Sequence, residues 1–217
     1  MTDLKLRDYY AQRAPVLEQD YAIEEREDDL EEMEERVCEM LMGQKVLELA
    51  CGTGYWTQQI ADFAESVHAT DFCPELLEIA QTKEFDNDNV DFALADAFAL
   101  PAAAAGQYSA AFAGFLWSHV RREDQTKLLK QWCAAIGSGS TLILIDDNEV
   151  EGETLPVART DLEGNTFHIH TMADGSRVEV IKNFPTDSYM RKKFAAVARD
   201  IRIYRNEYYW MLSCVLR

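Results

Sequence analysis

The sequence predicts an α/β fold: a mainly parallel, seven-stranded sheet with helices on both faces, an N-terminal helical segment, and a β-hairpin inserted after the fifth strand. Three observations carry it. Between residues 44 and 147, short apolar runs alternate with segments of helical periodicity, which is the pattern of β-α-β units. The first run ends in a glycine turn, Cys51-Gly52-Thr53-Gly54, that leads into a helix. The run Leu142-Ile143-Leu144-Ile145 is apolar at successive positions, as a strand covered on both faces requires.

Residues 1–42 read as amphipathic helix, broken near Pro15 and ended by Gly43, with Ile23, Leu30, Met33, Val37 and Leu41 at helical spacing. Lys45–Ala50 is the first predicted strand, followed by a helix through Ala64 and a strand at Val67–Asp71. Pro74 suits the first turn of the next helix, because its missing N–H needs no partner there. Val90–Leu94 and Tyr108–Phe115 read as strands, Glu123–Ile136 as helix, and Thr141–Asp146 as the fifth strand. Beyond Asp147 the rhythm changes. Turn signals at Gly164-Asn165 and Asp174-Gly175 flank the alternating segments Thr166–Met172 and Arg177–Ile181, a hairpin pattern. A helix from about Asp187 to Ala198 and strands at Ile201–Arg205 and Tyr208–Val215 close the chain. The whole is expected to be one domain: a helical cap (1–42), a core (44–147), a hairpin lid (149–185) and a C-terminal helix with strands (186–217).

The 217 residues suffice for one sizeable core, and 47% hydrophobic content is that of an ordinary globular protein. A net charge of −18 argues against a nucleic-acid partner, whose phosphates demand cations. No stretch has the apolar length of a signal peptide or a membrane helix, so the expected location is cytoplasmic, with no membrane partner. Five widely spaced cysteines without a C-x-x-C pair suggest reduced thiols. The charge is segregated: Glu18–Glu39 holds twelve acids against two arginines, whereas Arg177–Arg205 holds eight cations against three acids. The acidic run reads as a solvated helix face.

Ligands of doubly wound sheets bind beyond the carboxyl ends of the strands, where strand order reverses. There Gly52 and Gly54 permit close backbone approach. Asp71, nineteen residues past Gly52, ends the second strand, where a carboxylate can accept both hydroxyls of a ribose. Asp96, twenty-five residues further on, is placed to take an adenine amino group. A dinucleotide fold wants a third glycine where Thr57 stands. The blocks Val46–Gly54, Ala69–Leu77 and Ala95–Pro101, in this order and spacing, resemble the class I S-adenosylmethionine-dependent methyltransferases, small-molecule branch. The resemblance implies the Rossmann-like fold of that class, S-adenosylmethionine (SAM) as cofactor and S-adenosylhomocysteine (SAH) as co-product. It implies that Glu48, Ala50, Gly52 and Gly54 pass the methionine part, Asp71 the ribose, Asp96 and Ala97 the adenine, with Phe72 and Phe115 also at the cofactor. Ala50 stands where the family more often has a glycine.

In-line methyl transfer is governed by alignment, and a base is needed only if the acceptor must lose a proton. The strand 4 end reads Gly114-Phe115-Leu116-Trp117-Ser118-His119 and lacks the Asp/Asn-Pro-Pro-Tyr-like tetrapeptide of nucleic-acid amino-methylating enzymes. His119 is the candidate general base; its alternative is a pocket wall. Trp117 is a candidate substrate contact. Asp146-Asp147-Asn148 resembles the magnesium ligands of catechol-type O-methyltransferases, but strand 4 supplies no oxygen ligand, and no metal is expected. His168 and His170 share a strand face and read better as a lid face than as a metal pair. The block Tyr9–Pro15 resembles the leading helix of small-molecule methyltransferases, which implies Tyr9 and Arg13 near the cofactor carboxylate and Tyr21 facing substrate; plain aromatic packing is the alternative. His170, Arg177 and Lys182 are cationic or able to become so in an acidic protein, and suggest an anionic acceptor. Local charge balance is again the alternative. The hairpin also resembles the lid of a branch that includes phosphonate O-methyltransferases. The expected function is therefore SAM-dependent methylation of a small-molecule acceptor, an oxygen nucleophile on a small metabolite bearing carboxylate, phosphate or phosphonate. Alternatives are N- or C-methylation, or a cofactor-binding regulatory or degenerate protein without turnover. The sequence is compatible with a monomer or a homodimer.

Overall fold

A computed structural model describes residues 4–101 and 106–217; the first three residues of the expected N-terminal helix lie outside them. The chain runs α1 (Leu4–Arg13), 3-10 turns at Ala14–Tyr21 and Glu24–Arg26, α2 (Glu27–Leu41), β1 (Lys45–Leu49), α3 (Tyr55–Ala61), β2 (Ser66–Asp71), α4 (Pro74–Ala80), β3 (Val90–Leu94), β4 (Ala110–Gly114), α5 (Gln125–Ile136) and β5 (Thr141–Asp147). It continues through β6 (Val157–Thr160), β7 (Thr166–Thr171), β8 (Arg177–Ile181), α6 (Asp187–Phe194), β9 (Ala198–Arg205) and β10 (Tyr209–Leu216).

Seven strands form one sheet in the order β3-β2-β1-β4-β5-β10-β9. The first five are parallel; β10 inserts antiparallel between β5 and β9. Both faces are covered, so β4 and most of β5 are apolar at successive positions and their side chains alternate between two cores. Leu142 and Leu144 of β5 join Leu128, Trp132 and Phe194 on one face, while Ile143 and Ile145 join Met33, Val37 and Ile60 on the other. The acidic α2 follows the same logic. It buries Leu30, Met33, Val37, Cys38 and Leu41 and turns its carboxylates outward.

The expected hairpin is present as β7 and β8, and β6 extends it to a three-stranded sheet by adding antiparallel to β7. All four residues of β6 are exposed, so no apolar alternation announces it. Gly54 itself does not line the cavity at the strand ends; a Cβ on it would come 3.1 Å from the Ala80 Cβ, so glycine there lets α3 start against α4.

The small sheet is fastened beside the β4 end by buried amides. Asn183 donates its backbone N–H to Ser118 O (2.8 Å) and its side chain to Val120 O (3.2 Å). Asn165 accepts from the Arg122 N–H (2.8 Å) and donates to Glu123 (2.9 Å). These bonds place β7 and β8 over the carboxyl ends of β1 and β4, the point where strand order reverses.

Candidate active site

A cavity of about 590 Å³ opens at that point, walled by α1, the following 3-10 turn, the ends of β1, β2, β4 and β5, and the small sheet. A second, smaller cavity adjoins it at Ala95–Phe98, and Ala50, Phe72, Leu116 and His119 belong to both. Two non-glycine residues at the strand ends have positive φ: Ala50 (56°) after β1 and Phe115 (54°) after β4. Such backbone costs about 1–2 kcal/mol per residue and persists where surrounding structure imposes it. At Ala50 it explains why a glycine suits the position.

Asp71 ends β2 with its carboxylate turned back to the glycine turn. Its Oδ2 accepts the Gly52 N–H (2.9 Å) and its Oδ1 the Cys73 N–H (2.8 Å). Burial raises its pKa above the ordinary carboxylate value, opposed by these backbone bonds. Glu48, on β1, is 1% exposed and accepts the Thr57 hydroxyl (2.7 Å). Burial pushes it up to about 8, so it is mainly neutral at pH 7. Gly52, Ala50, Phe72 and Phe115 line the large cavity; Asp96 and Ala97 line the small one, where Asp96 accepts the Phe98 N–H (2.8 Å).

The N-terminal helix closes the opposite wall through two tyrosine–histidine pairs. His119 donates Nδ1–H to Ile181 O (2.6 Å), which leaves Nε2 to accept from the Tyr10 hydroxyl (2.8 Å). Burial, then the nearby Lys182 charge, lowers the His119 pKa to about 3. Its imidazole is neutral with both nitrogens engaged. Arg13 donates to the Tyr9 hydroxyl (3.1 Å), which donates to His170 Nδ1 (3.0 Å). Burial and then the Arg13 charge lower His170 to about 4. Tyr21 stacks on Tyr55, centroids 3.8 Å apart, and meets Phe115 edge to face.

Lys182, just past β8, reaches into the cavity and pairs with Asp147, with Asp146 Oδ1 at 3.6 Å. Burial alone would lower its pKa, but the two carboxylates outweigh burial and raise it. Lys182 is therefore firmly charged. Asp146 is fully buried and accepts the Ser118 and Asp147 N–H groups (2.8 and 2.9 Å).

Two expected substrate residues are elsewhere. Trp117 is 1% exposed and packs in the core on Trp132 and Phe194, because the turn after β4 directs it under the sheet rather than into the cavity. Arg177 begins β8 on the exposed side and does not line the cavity. Conversely, Tyr10 and Asp147 line it without having been singled out for substrate; Tyr10 lies in the block read for Tyr9 and Arg13, and Asp147 in the Asp146-Asp147-Asn148 run weighed as metal ligands.

Residues 46–139, which carry the glycine turn, Asp71 and Asp96, match the family model of a methyltransferase domain. No curated protein matches the chain in sequence. The solved DhpI–SAH complex is similar over 98% of this chain and 95% of its own, at 22% identity and a TM-score of 0.78. The DhpI–SAM–HEP complex covers 99% of each chain, at 22% identity and a TM-score of 0.77. The PH0226 protein from Pyrococcus horikoshii OT3 is 15% identical over 91% of this chain and 94% of its own, with a TM-score of 0.70. Residues 46–139 thus carry the match to a methyltransferase domain, and the whole chain shares the fold of these solved structures. Among the described residues no cluster of potential metal ligands is present, and no helix is long and apolar enough to cross a membrane.

Proposed function

We propose that this enzyme methylates an oxygen that arrives already ionised, on a small acid such as a carboxylate, phosphate or phosphonate, with Lys182 as its counter-ion. One observation carries the reading: the candidate base, His119, is neutral and engaged at both nitrogens, while Lys182 is held charged. Neither side chain is placed to take a proton from an alcohol or an ammonium. An acid oxygen brings its own lone pair and releases no proton.

The residues present fit SAM. The cavity runs from the glycine turn past Asp71 to the small cavity at Asp96. In this reading Asp71 accepts the ribose hydroxyls, Asp96 and Ala97 meet the adenine, Arg13 with Tyr9 takes the carboxylate, and Glu48, Ala50, Gly52, Phe72 and Phe115 wall the cofactor. When bound, SAM supplies an electrophilic methyl carbon whose sulfur–carbon bonding pair leaves with sulfur. The chain's own contribution is alignment and exclusion of water. Lys182 orients the acceptor by a charge-assisted bond, and Tyr10 and Tyr21 crowd the space around it. The His170–Tyr9 pair, and His119 bridging the Tyr10 hydroxyl to Ile181 O, hold α1 to the small sheet as a lid. That DhpI has been solved in a complex with both SAM and HEP supports a site taking two molecules.

The test is incubation with methyl-labelled SAM and a panel of small carboxylates, phosphates and phosphonates, following SAH release and the labelled product by NMR. An O-methyl ester is expected. An N- or C-methyl product, or turnover only on alcohols, contradicts the reading.

A further inference from the structure

We propose that the acceptor carries an ammonium group beside its acid, and that Asp147 binds it: the substrate class is a small zwitterion, held between Lys182 and Asp147. This rests on the acid-oxygen reading above and sharpens it.

The first ground is charge. Asp147 closes β5 at the cavity wall, and its side chain is 23% exposed. Its Oδ2 pairs with Lys182, while among the described residues its Oδ1 carries no hydrogen bond. Behind it lies Asp146, so the single Lys182 charge faces two carboxylates. The other cavity cations are already spoken for: Arg13 by Asp20 (2.7 and 2.8 Å) and Arg26 by Glu153 (3.0 Å). A simple anion docking on Lys182 therefore enters a locally negative site. An acceptor with its own positive charge does not, because it can separate the pair and satisfy each member in turn.

The second ground is the surroundings. Phe115 meets Tyr21 (centroids 5.7 Å) and Tyr209 (5.9 Å), so three rings stand together on the cavity wall. The Asp147 charge is among the causes that raise the pKa values of both Tyr21 and Tyr209, which puts the carboxylate in their company. A carboxylate among aromatic faces is the environment that stabilises an organic ammonium. The ammonium keeps its protons there, since a carboxylate is a far weaker base than an amine, and so is recognised without being methylated.

The experiment uses matched acids that differ only in the amino group: 2-aminoethylphosphonate against ethylphosphonate, and β-alanine against propionate. KM is read from SAH release, and SAM affinity from calorimetry. Wild-type protein is expected to favour the aminated member of at least one pair by about tenfold in KM, with the methyl on oxygen. Asp147→Asn should bring that ratio within about twofold of unity, while Lys182→Gln raises KM for both members. Equal KM values in the wild-type protein overturn the inference, and so does failure of both aminated acids to bind. An Asp147→Asn protein that loses SAM affinity but keeps the ratio assigns Asp147 to the cofactor instead, and overturns it as well. If Lys182→Gln changes neither KM, it is the acid-oxygen reading itself that fails.

Discussion

Asp71→Ala is expected to lower the affinity for SAM by about 100-fold. Hydrogen bonds to a charged group are worth roughly 1.5–3 kcal/mol, and about 2.7 kcal/mol is a factor of 100 in affinity. Asp71 is 4% exposed and sits at the carboxyl end of β2, on the cavity wall. The same carboxylate receives the Gly52 and Cys73 N–H groups, so alanine also loosens the glycine turn. Calorimetry with SAM reads the first effect and thermal melting the second. Asp71→Asn keeps one acceptor oxygen and should fall between. An Asp71→Ala protein that melts normally and binds SAM as the wild type does would remove Asp71 from the cofactor site.

The second large effect is expected at Lys182. Lys182→Gln should lower kcat/KM for an acid acceptor by about 100-fold while leaving SAM affinity within about threefold, since the ammonium is assigned to the acceptor alone. It should also destabilise the fold by about 3 kcal/mol, because removing one member of a buried pair strands the other, here the fully buried Asp146 together with Asp147. The two consequences separate in the double variant. Adding Asp147→Asn to Lys182→Gln removes one stranded charge and should recover part of the melting temperature without recovering the rate. Steady-state kinetics and thermal melting on the three proteins measure this, and a rate that returns with stability would make Lys182 purely structural.

The central sheet was legible because burial on both faces leaves a plain mark, as in the fully buried Leu142–Ile145 run; β3 also stands at Val90–Leu94 as expected, although as an edge strand it is only partly buried. Strand β6 was not legible, since a strand exposed along its whole length has no periodicity to read. Gly52, Asp71 and Asp96, read from spacing as cofactor contacts, do line the two adjoining cavities. The condition of His119 was not, because its partners Tyr10 and Ile181 lie 109 and 62 residues away. Trp117 was misplaced for a related reason: adjacency to Phe115 in sequence does not tell which way a turn directs a side chain. The surplus of cations in the last third also reads differently in three dimensions. Arg205 pairs with Asp187 and Arg159 stands against Glu179, while Lys182 alone of the three reaches the cavity.

The single-turnover rate of methyl transfer to a carboxylate acceptor, followed from about pH 6 to 9, bears most directly on an acceptor oxygen that arrives ionised. His119, with its pKa lowered to about 3, is neutral across this whole range, and Lys182, with its pKa raised, stays charged. Neither changes protonation, and a carboxylate acceptor is ionised throughout; Glu48, at about 8, does titrate in this range, so the profile is read on the Glu48→Gln protein beside the wild type. The rate is therefore predicted to be constant within about twofold. A rise approaching tenfold per pH unit toward a plateau would show a base accepting a proton in the rate-determining step, and would contradict it.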